Sequence, residues 1–487
     1  MTAARAEVVE GRAVQSRRDQ LQAYRFVNRR ALAALVSGEP DVIDPPMRRL
    51  TVTTISGIMI AILIAVVFAL LGVIKPTQGG KWKAAGSIIV ERETGARYVL
   101  RADVLYPVRN YASAVLAVVP SAPKVVYVNR KDIKNTKRGA VIGIDGLPDS
   151  LPSAKNLVTS PWTVCSRLQA GPNEHLDAHV SLLIGDDAGA VDLPADRAVL
   201  VRPVTDKTPF LLWQGQRLAI SSSTVATSLG LQNATRVDVG TAFLNAVTRG
   251  PALRAPSIPG SGNGAIAPTT VVDGRHPLIG QLLHVAEDDT YFLTLADGVH
   301  AVDPLQTALL KTLRIDPKNQ PVAPLETSGT VALTLKESAG DWQTVLAQFA
   351  GLPDKKPVVA GDAAQNGGIC AVYRDGSGKP TFAVPPSTLP VNSPGGTLEE
   401  STQSRQGQAD SIVLDPGRAA VVMSDNGSST VFVIAEPGKK FAVGSADVLS
   451  AFGYGNVKPA TLPSQLLPMI PTGPALDPAG ALQPAAG

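Results

Sequence analysis

Net charge, cysteine and histidine are all scarce in this chain. Lys and Arg number 45 against 41 Asp and Glu, a formal net charge of +4 over 487 residues. Of that excess, +3 falls in residues 1–50, where nine Arg face six Asp or Glu. The rest is close to neutral and offers no basic field for a polyanion. RRM, helix-turn-helix and zinc-finger patterns are missing as well, so no nucleic-acid partner is expected. Signatures of catalysis are also absent: G-x-x-x-x-G-K-S/T, G-x-S-x-G, H-E-x-x-H and the EF-hand loop do not occur. GSGNG (260–264) lacks the spacing and the strand-helix context of a dinucleotide loop and reads as a linker. Of the five histidines, His175 and His179 share a face at i, i+4, but two nitrogens do not complete a tetrahedral site. Asp186-Asp187 and Asp288-Asp289 read as turn carboxylates. No catalytic, cofactor-binding or metal residue is expected.

Against these absences stands one long uncharged run, Thr51 to Ile74. Its 24 residues would span ~36 Å as a helix at ~1.5 Å per residue, enough to cross a ~30 Å hydrocarbon core with some tilt. A cleaved signal peptide fits poorly, because fifty residues precede the run and no A-x-A site follows it. A buried core helix of this length would carry polar residues beyond Ser and Thr. Arg48 and Arg49 place the N-terminal side in the cytoplasm, although Lys75, Lys81 and Lys83 soften that asymmetry. Within the run, Gly57, Ala61, Ala65 and Ala69 recur at i+4. Such a stripe of small residues permits close helix packing in lipid.

Before the run, Ser16-x-x-Asp19 resembles a capping box and Ser37-Gly38-Glu39-Pro40 a stop, which predicts a helix between them. Its apolar face comprises Leu21, Tyr24, Val27, Ala31, Leu32 and Leu35, with Arg18, Arg25 and Arg29 expected on the opposite face. Two roles fit: a membrane-proximal basic helix, or a docking helix on which Leu21, Tyr24, Arg25, Arg29 and Leu35 meet a partner. DVIDPPM (41–47) then forms a Pro-stiffened elbow.

With 44 Gly and 39 Pro, the remainder favours short elements and many loops. One grammar returns four times, in segments 98–116, 210–229, 291–310 and 431–452: apolar strand, turn, second strand, helix. Its central anchors are Pro107, Ala219, Ala301 and Ala442. Their separations of 112, 82 and 141 residues argue against a stacked solenoid and for modules set in a larger body. CAVYRDGSGKPTFAVPPS (370–387) half satisfies the same pattern.

Each cysteine lies in a strand-like run between two of these units. Cys165 is 58 residues after Pro107 and 54 before Ala219; Cys370 is 69 after Ala301 and 72 before Ala442. This suggests a duplicated plan in which each half contributes one cysteine to a shared centre. Outside the cell the pair is expected to be a disulfide, with two free buried cysteines as the alternative. PALRAPSIPGSGNGAIAP (251–268) reads as a flexible crossover between the halves, NSPGG and TLEESTQSRQGQADS as a second boundary, and the Pro- and Ala-rich ending as an extended or disordered tail.

QLQAYRFVNRRALAALVSGEP before a single span, the pair Cys165 and Cys370, and the closing LLPMIPTGPALDP together resemble the EccB family, single-pass components of mycobacterial and actinobacterial type VII (ESX) secretion systems. The resemblance covers essentially the whole chain. It implies an inner-membrane subunit that meets EccC-, EccD- and EccE-like partners, further copies of itself and membrane lipid, and supports export of WXG100 and PE/PPE substrates. No cofactor is expected. It implies an α+β fold: a short cytoplasmic helix, one span, and an elongated periplasmic domain of four β-hairpin/helix repeats around a disulfide-linked centre. The expected divisions are 1–50 cytoplasmic, 51–74 transmembrane, 75–120 repeat 1, 121–205 first central half and 206–250 repeat 2. They continue as 251–270 linker, 271–325 repeat 3, 326–425 second central half, 426–462 repeat 4 and 463–487 tail. The competing reading is a membrane-anchored ATPase, which would need a phosphate cradle that the sequence does not display.

Overall fold

A computed structural model of the chain describes residues 16–38, 48–74, 81–170, 176–206, 208–361, 368–386 and 407–485. DVIDPPM, His175, NSPGG and most of TLEESTQSRQGQADS lie outside the described residues. The chain forms two compact units, Met1–Gly79 and Gly80–Gly487.

The first unit holds two helices, α1 (Arg17–Ser37) and α2 (Arg48–Ile74). At the start of α1 the backbone N–H of Ser16 donates to the Asp19 carboxylate at 3.1 Å. At its end Gly38 turns left-handed (φ 70°), and its N–H donates to Ala34 O at 3.2 Å. The sequence signals for start and stop therefore act as caps on orphan backbone groups.

In the second unit the described strands form five sheets, four of the same kind and one, the central sheet, that draws on both halves of the chain. Module 1 has strands Ser87–Glu91, Arg97–Arg101 and Val104–Pro107, helix Tyr111–Val118, then strand Lys124–Val128. Module 2 has Arg197–Pro203, Phe210–Trp213 and Gln216–Ala219, helix Ser223–Ser228, then Val237–Val239. Module 3 has Leu282–Val285, Thr290–Thr294 and Val299–Val302, helix Pro304–Leu310, then Leu325–Thr327. Module 4 has Ala420–Ser424, Val431–Ala435 and Lys439–Val443, helix Ala446–Ala451, then Ala460–Leu462. In each, three strands run antiparallel and the fourth, after the helix, lies parallel beside the first. The registers coincide. One row reads Val126, Ile89, Tyr98, Pro107; the others read Val237, Val201, Phe210, Ala219; Leu325, Leu283, Phe292, Ala301; and Ala460, Val422, Phe432, Ala442. An aromatic ring thus stands opposite the small anchor residue every time, filling the space which Pro or Ala leaves on that face.

Several expectations need correcting here. The hairpin and helix are only the middle of each module, since Arg197–Pro203 and Ala420–Ser424 pair with hairpins across the boundaries expected at 205 and 425, and Lys124–Val128 pairs across the one at 120. Alternation marks a strand but not the sheet it joins, because that choice is made by residues far along the chain. The half-matching segment near 380 is no module: Gly368–Tyr373 and Thr381–Val384 form a hairpin of the central sheet.

That sheet takes three strands from each half of the chain, in the order Ser411–Leu414, Leu176–Ile184, Trp162–Ala170, Gly368–Tyr373, Thr381–Val384, Val191–Asp192. Exchanging the halves strand for strand reverses the order onto itself. The centre of that exchange is the pair Cys165 and Cys370, which face each other in register.

Packing follows the same exchange. Ala112 and Leu116 from the helix of module 1 share a core with Val421, Val433 and Val448 of module 4. Val225 and Leu229 of module 2 share one with Leu293, Leu305 and Leu309 of module 3, where the Ser228 hydroxyl also donates to Ala308 O. Neither the crossover nor the tail is loose. Leu253, Ile258 and Ala267 are buried, and Leu253 N–H donates to Ala219 O at 2.8 Å. Leu466, Met469, Ile470 and Leu476 are buried too, and Lys440 Nζ donates to the carbonyl of Leu467 at 2.6 Å. Farther on, Ala485 N–H donates to Val141 O at 2.9 Å, so the tail straps modules 4 and 1 together. Pro- and Gly-rich composition describes the backbone of these segments, while their scattered Leu, Ile and Met decide burial.

Candidate functional site

On α1 the expected contact residues are exposed: Leu21, Tyr24 and Leu35 at 54%, 68% and 86%. Counting about 100° per residue from Leu21, Ala31 falls at about 280°, Tyr24 at about 300° and Leu35 at about 320°. Arg25 then falls at about 40° and Arg29 at about 80°, next to Leu32 at about 20°. Arg25 borders the apolar face, while Arg29 stands well round toward its opposite side, so the expected opposition is only partial. Phe26, on the far side, is exposed at 64%, so the helix is less one-sided than its pattern promised. An apolar stripe edged by guanidinium groups suits a groove with an acidic rim.

Among the described residues, α2 is the one helix long and apolar enough to cross a membrane, over Leu50–Ala69. The Thr53 hydroxyl donates back to Leu50 O at 3.0 Å and that of Thr54 does the same, which satisfies both hydroxyls without leaving the helix. Gly57, Ala61, Ala65 and Ala69 are all exposed along it. Successive i+4 steps drift by about 40°, so these residues form a slanted band. A Cβ at Gly57 would meet nothing within 4 Å.

In the outer unit, Cys165 and Cys370 form a disulfide between facing residues, with Cα atoms 4.0 Å apart. Both are fully buried, packed with Leu183, Val372 and Ala383. His179 Nε2 lies 3.0 Å from the Ser411 hydroxyl. Asp186 and Asp187 accept from Ala188 and Gly189 N–H at 2.8 and 3.0 Å, and Asp288 accepts from Thr290 N–H at 3.2 Å. These carboxylates hold turns.

One cluster has no signal in the linear sequence. In module 3, His284 Nδ1 lies 2.9 Å from Glu326 Oε2 and Nε2 lies 3.0 Å from Asp289 Oδ1, with the imidazole stacked 4.4 Å from Tyr291. Glu326, then Asp289, raise its pKa above the ordinary histidine value. His300 stacks 4.2 Å from Trp342, and there burial lowers the pKa against the pull of Glu337. Glu326 sits on the fourth strand, in register with His284, so its partnership is invisible without that strand.

A family model described as "Type VII secretion system ESX-1, transport TM domain B" matches residues 13–486, from ahead of α1 to the end of the tail. The chain belongs to the EccB family. It is a membrane component of a type VII secretion system. Among similar EccB proteins, the "ESX-3 secretion system ATPase EccB3" of Mycolicibacterium smegmatis is 27% identical, with 96% of this chain and 90% of the relative aligned. The "ESX-5 secretion system ATPase EccB5" of Mycobacterium tuberculosis is 26% identical over 96% and 93%. Among solved structures, a chain of an intact ESX-5 inner membrane complex has a TM-score of 0.65 at 24% identity, over 98% of this chain and 97% of that one. The EccB3 dimer from the ESX-3 core complex has a TM-score of 0.63 at 24% identity, over 81% and 99%. At that identity the structural likeness concerns fold: a mixed α+β chain with one apolar N-terminal helix.

Proposed function

We propose that this EccB-family chain is a scaffold: α1 docks on cytosolic parts of EccC-, EccD- or EccE-like subunits, α2 packs in the inner membrane, and the outer unit stands in the periplasm. The supporting observation is that a single family match runs unbroken through α1, the span and the outer unit. Further copies of the chain and membrane lipid complete the set of partners, and the exported cargo is of the WXG100, PE or PPE kind. The four modules are repeats of one unit, arranged with the central sheet as two copies of repeat, half-centre, repeat. This reading rests on their shared strand order and registers. An enzymatic role has less support. The word ATPase in the relatives' names describes those proteins, whereas this sequence carries no G-x-x-x-x-G-K-S/T loop.

Docking through a groove depends on particular side chains, whereas lipid binding follows summed charge and apolarity. Tyr24→Ala and Leu35→Asp are therefore expected to release the partners in affinity purification through a C-terminal tag. Arg29→Lys keeps the charge and is expected to matter less, unless Arg29 forks onto a carboxylate. Full partner recovery with Tyr24→Ala and Leu35→Asp combined would return α1 to the membrane surface. In an ATP turnover assay the purified chain is expected to match a mock preparation; activity above it, abolished by a pocket substitution, would favour the enzyme.

A further inference from the structure

Gln216–Ala219 is the edge strand of the module 2 sheet, and the chain after helix Thr241–Ala246 returns beside it in parallel. Arg217 faces Arg249, and Ile220 faces Leu253. Arg217 N–H donates to Thr248 O at 2.9 Å and Gly250 N–H to Arg217 O at 3.0 Å. Gly250 is what permits this approach, because a Cβ there would collide with Gln216 Oε1 and Leu218 Cδ2.

The register has an electrostatic cost. Like charges directly opposite one another destabilise a sheet, and a half-buried guanidinium needs a counter-charge. The same module meets that need elsewhere: Arg202 forks onto Asp238 at 2.8 and 2.9 Å. Among the described residues, neither Arg217 nor Arg249 has a carboxylate in salt-bridge range. Arg217 Nη1 donates to Asn245 Oδ1 at 3.4 Å and the guanidinium lies 5.9 Å from the centre of the Phe210 ring, while Nε is buried with no hydrogen-bond partner. Burial, and then Arg249, lower its pKa. Beside the pair opens a cavity of ≈ 450 Å³, lined also by Phe210, Ala219, Pro251 and Ala252. That is room for an organic molecule, well beyond a bare inorganic anion.

The geometry points to an anion-binding pocket at this edge, taking an organic oxyanion, carboxylate or phosphate, whose charged end is forked by Arg217 and Arg249 while its apolar body lies on Phe210, Ala219 and Pro251. The bound anion supplies the counter-charge that the protein withholds. Benzoate and phenyl phosphate, titrated into the full-length chain in detergent at fixed ionic strength against chloride, test the pocket by calorimetry and by melting temperature. Both are expected to raise the melting temperature, and the tighter of the two tells which oxyanion is preferred. Arg249→Gln is expected to weaken binding at least about tenfold, the scale of one charge-assisted pair, while leaving the unliganded melting temperature unchanged or higher, since a repulsion is removed. Arg217→Lys, which keeps the charge and loses the fork, is expected to weaken binding too. Arg314→Gln, in module 3, is expected to behave as the parent. Absence of any stabilisation beyond chloride, or an Arg249→Gln response equal to that of the parent, would overturn the proposal.

Discussion

Cys165 and Cys370 face each other across the junction of the two halves, 205 residues apart in sequence. Closing so long a loop reduces the entropy of the unfolded chain, by about 5 kcal/mol on the chain-entropy estimate. Reductant is therefore expected to lower the denaturant midpoint of the parent and to leave that of Cys165→Ala unchanged, already lowered. A midpoint indifferent to reductant in both would show that the sheet alone holds the halves. The two histidines of module 3 make opposite contributions to the pH dependence of stability. His284 has a raised pKa, so its contribution is complete below the unfolded value near 6.5 and fades as pH climbs through the folded value. His300 has a lowered pKa, so its contribution is complete above about 6.5 and fades as pH falls through the folded value. His284→Gln is expected to abolish the loss of stability above pH ~6.5 while keeping the loss on acidification. Melting curves between pH 5 and 9 read both limbs, and an unchanged upper limb would remove His284 from the account.

At the level of single elements, α1 and α2 are legible in the sequence because their signals are local. A capping residue, a period near 3.6 and a glycine stop act within one or two turns, and an uncharged run of this length has few other uses. The angular position of Arg25 and Arg29 is legible as well, since it follows from counting about 100° per residue along the sequence. On α2, Ala65→Leu would push backbones apart within a band of small residues, whereas Ile62→Leu conserves volume. Recovery of the assembled complex is expected to fall for the first and not for the second; equal recovery would mean that the band carries no contact. The hairpins of the four modules are equally legible, since each is a strand, a turn and a strand close in sequence. Their first and fourth strands are not: Leu325–Thr327 pairs with Leu282–Val285 about forty residues away, through register alone.

For the molecule as a whole, the charge flanking α2 places residues 1–50 inside and residues 75–487 outside. A reporter active only in the periplasm is expected to work when fused after Gly80 and to fail when fused before Arg48; the reverse pattern would invert the topology. By itself the sequence determined the membrane span, the capped helix before it, four hairpins with small anchors, and two cysteines placed one to each half. All of these are written in neighbouring residues, as hydropathy, period or turn chemistry. Only the tertiary structure decided that module 1 joins 4 and module 2 joins 3, that the central sheet takes three strands from each half, and that the Pro-rich tail is a strap anchored by a few buried side chains. The same holds for the meetings of His284 with Glu326 and Arg217 with Arg249. The reason is that parallel pairing and burial draw their free energy from groups far apart in the chain, brought together only after loop closure, and no local pattern records which distant partner wins.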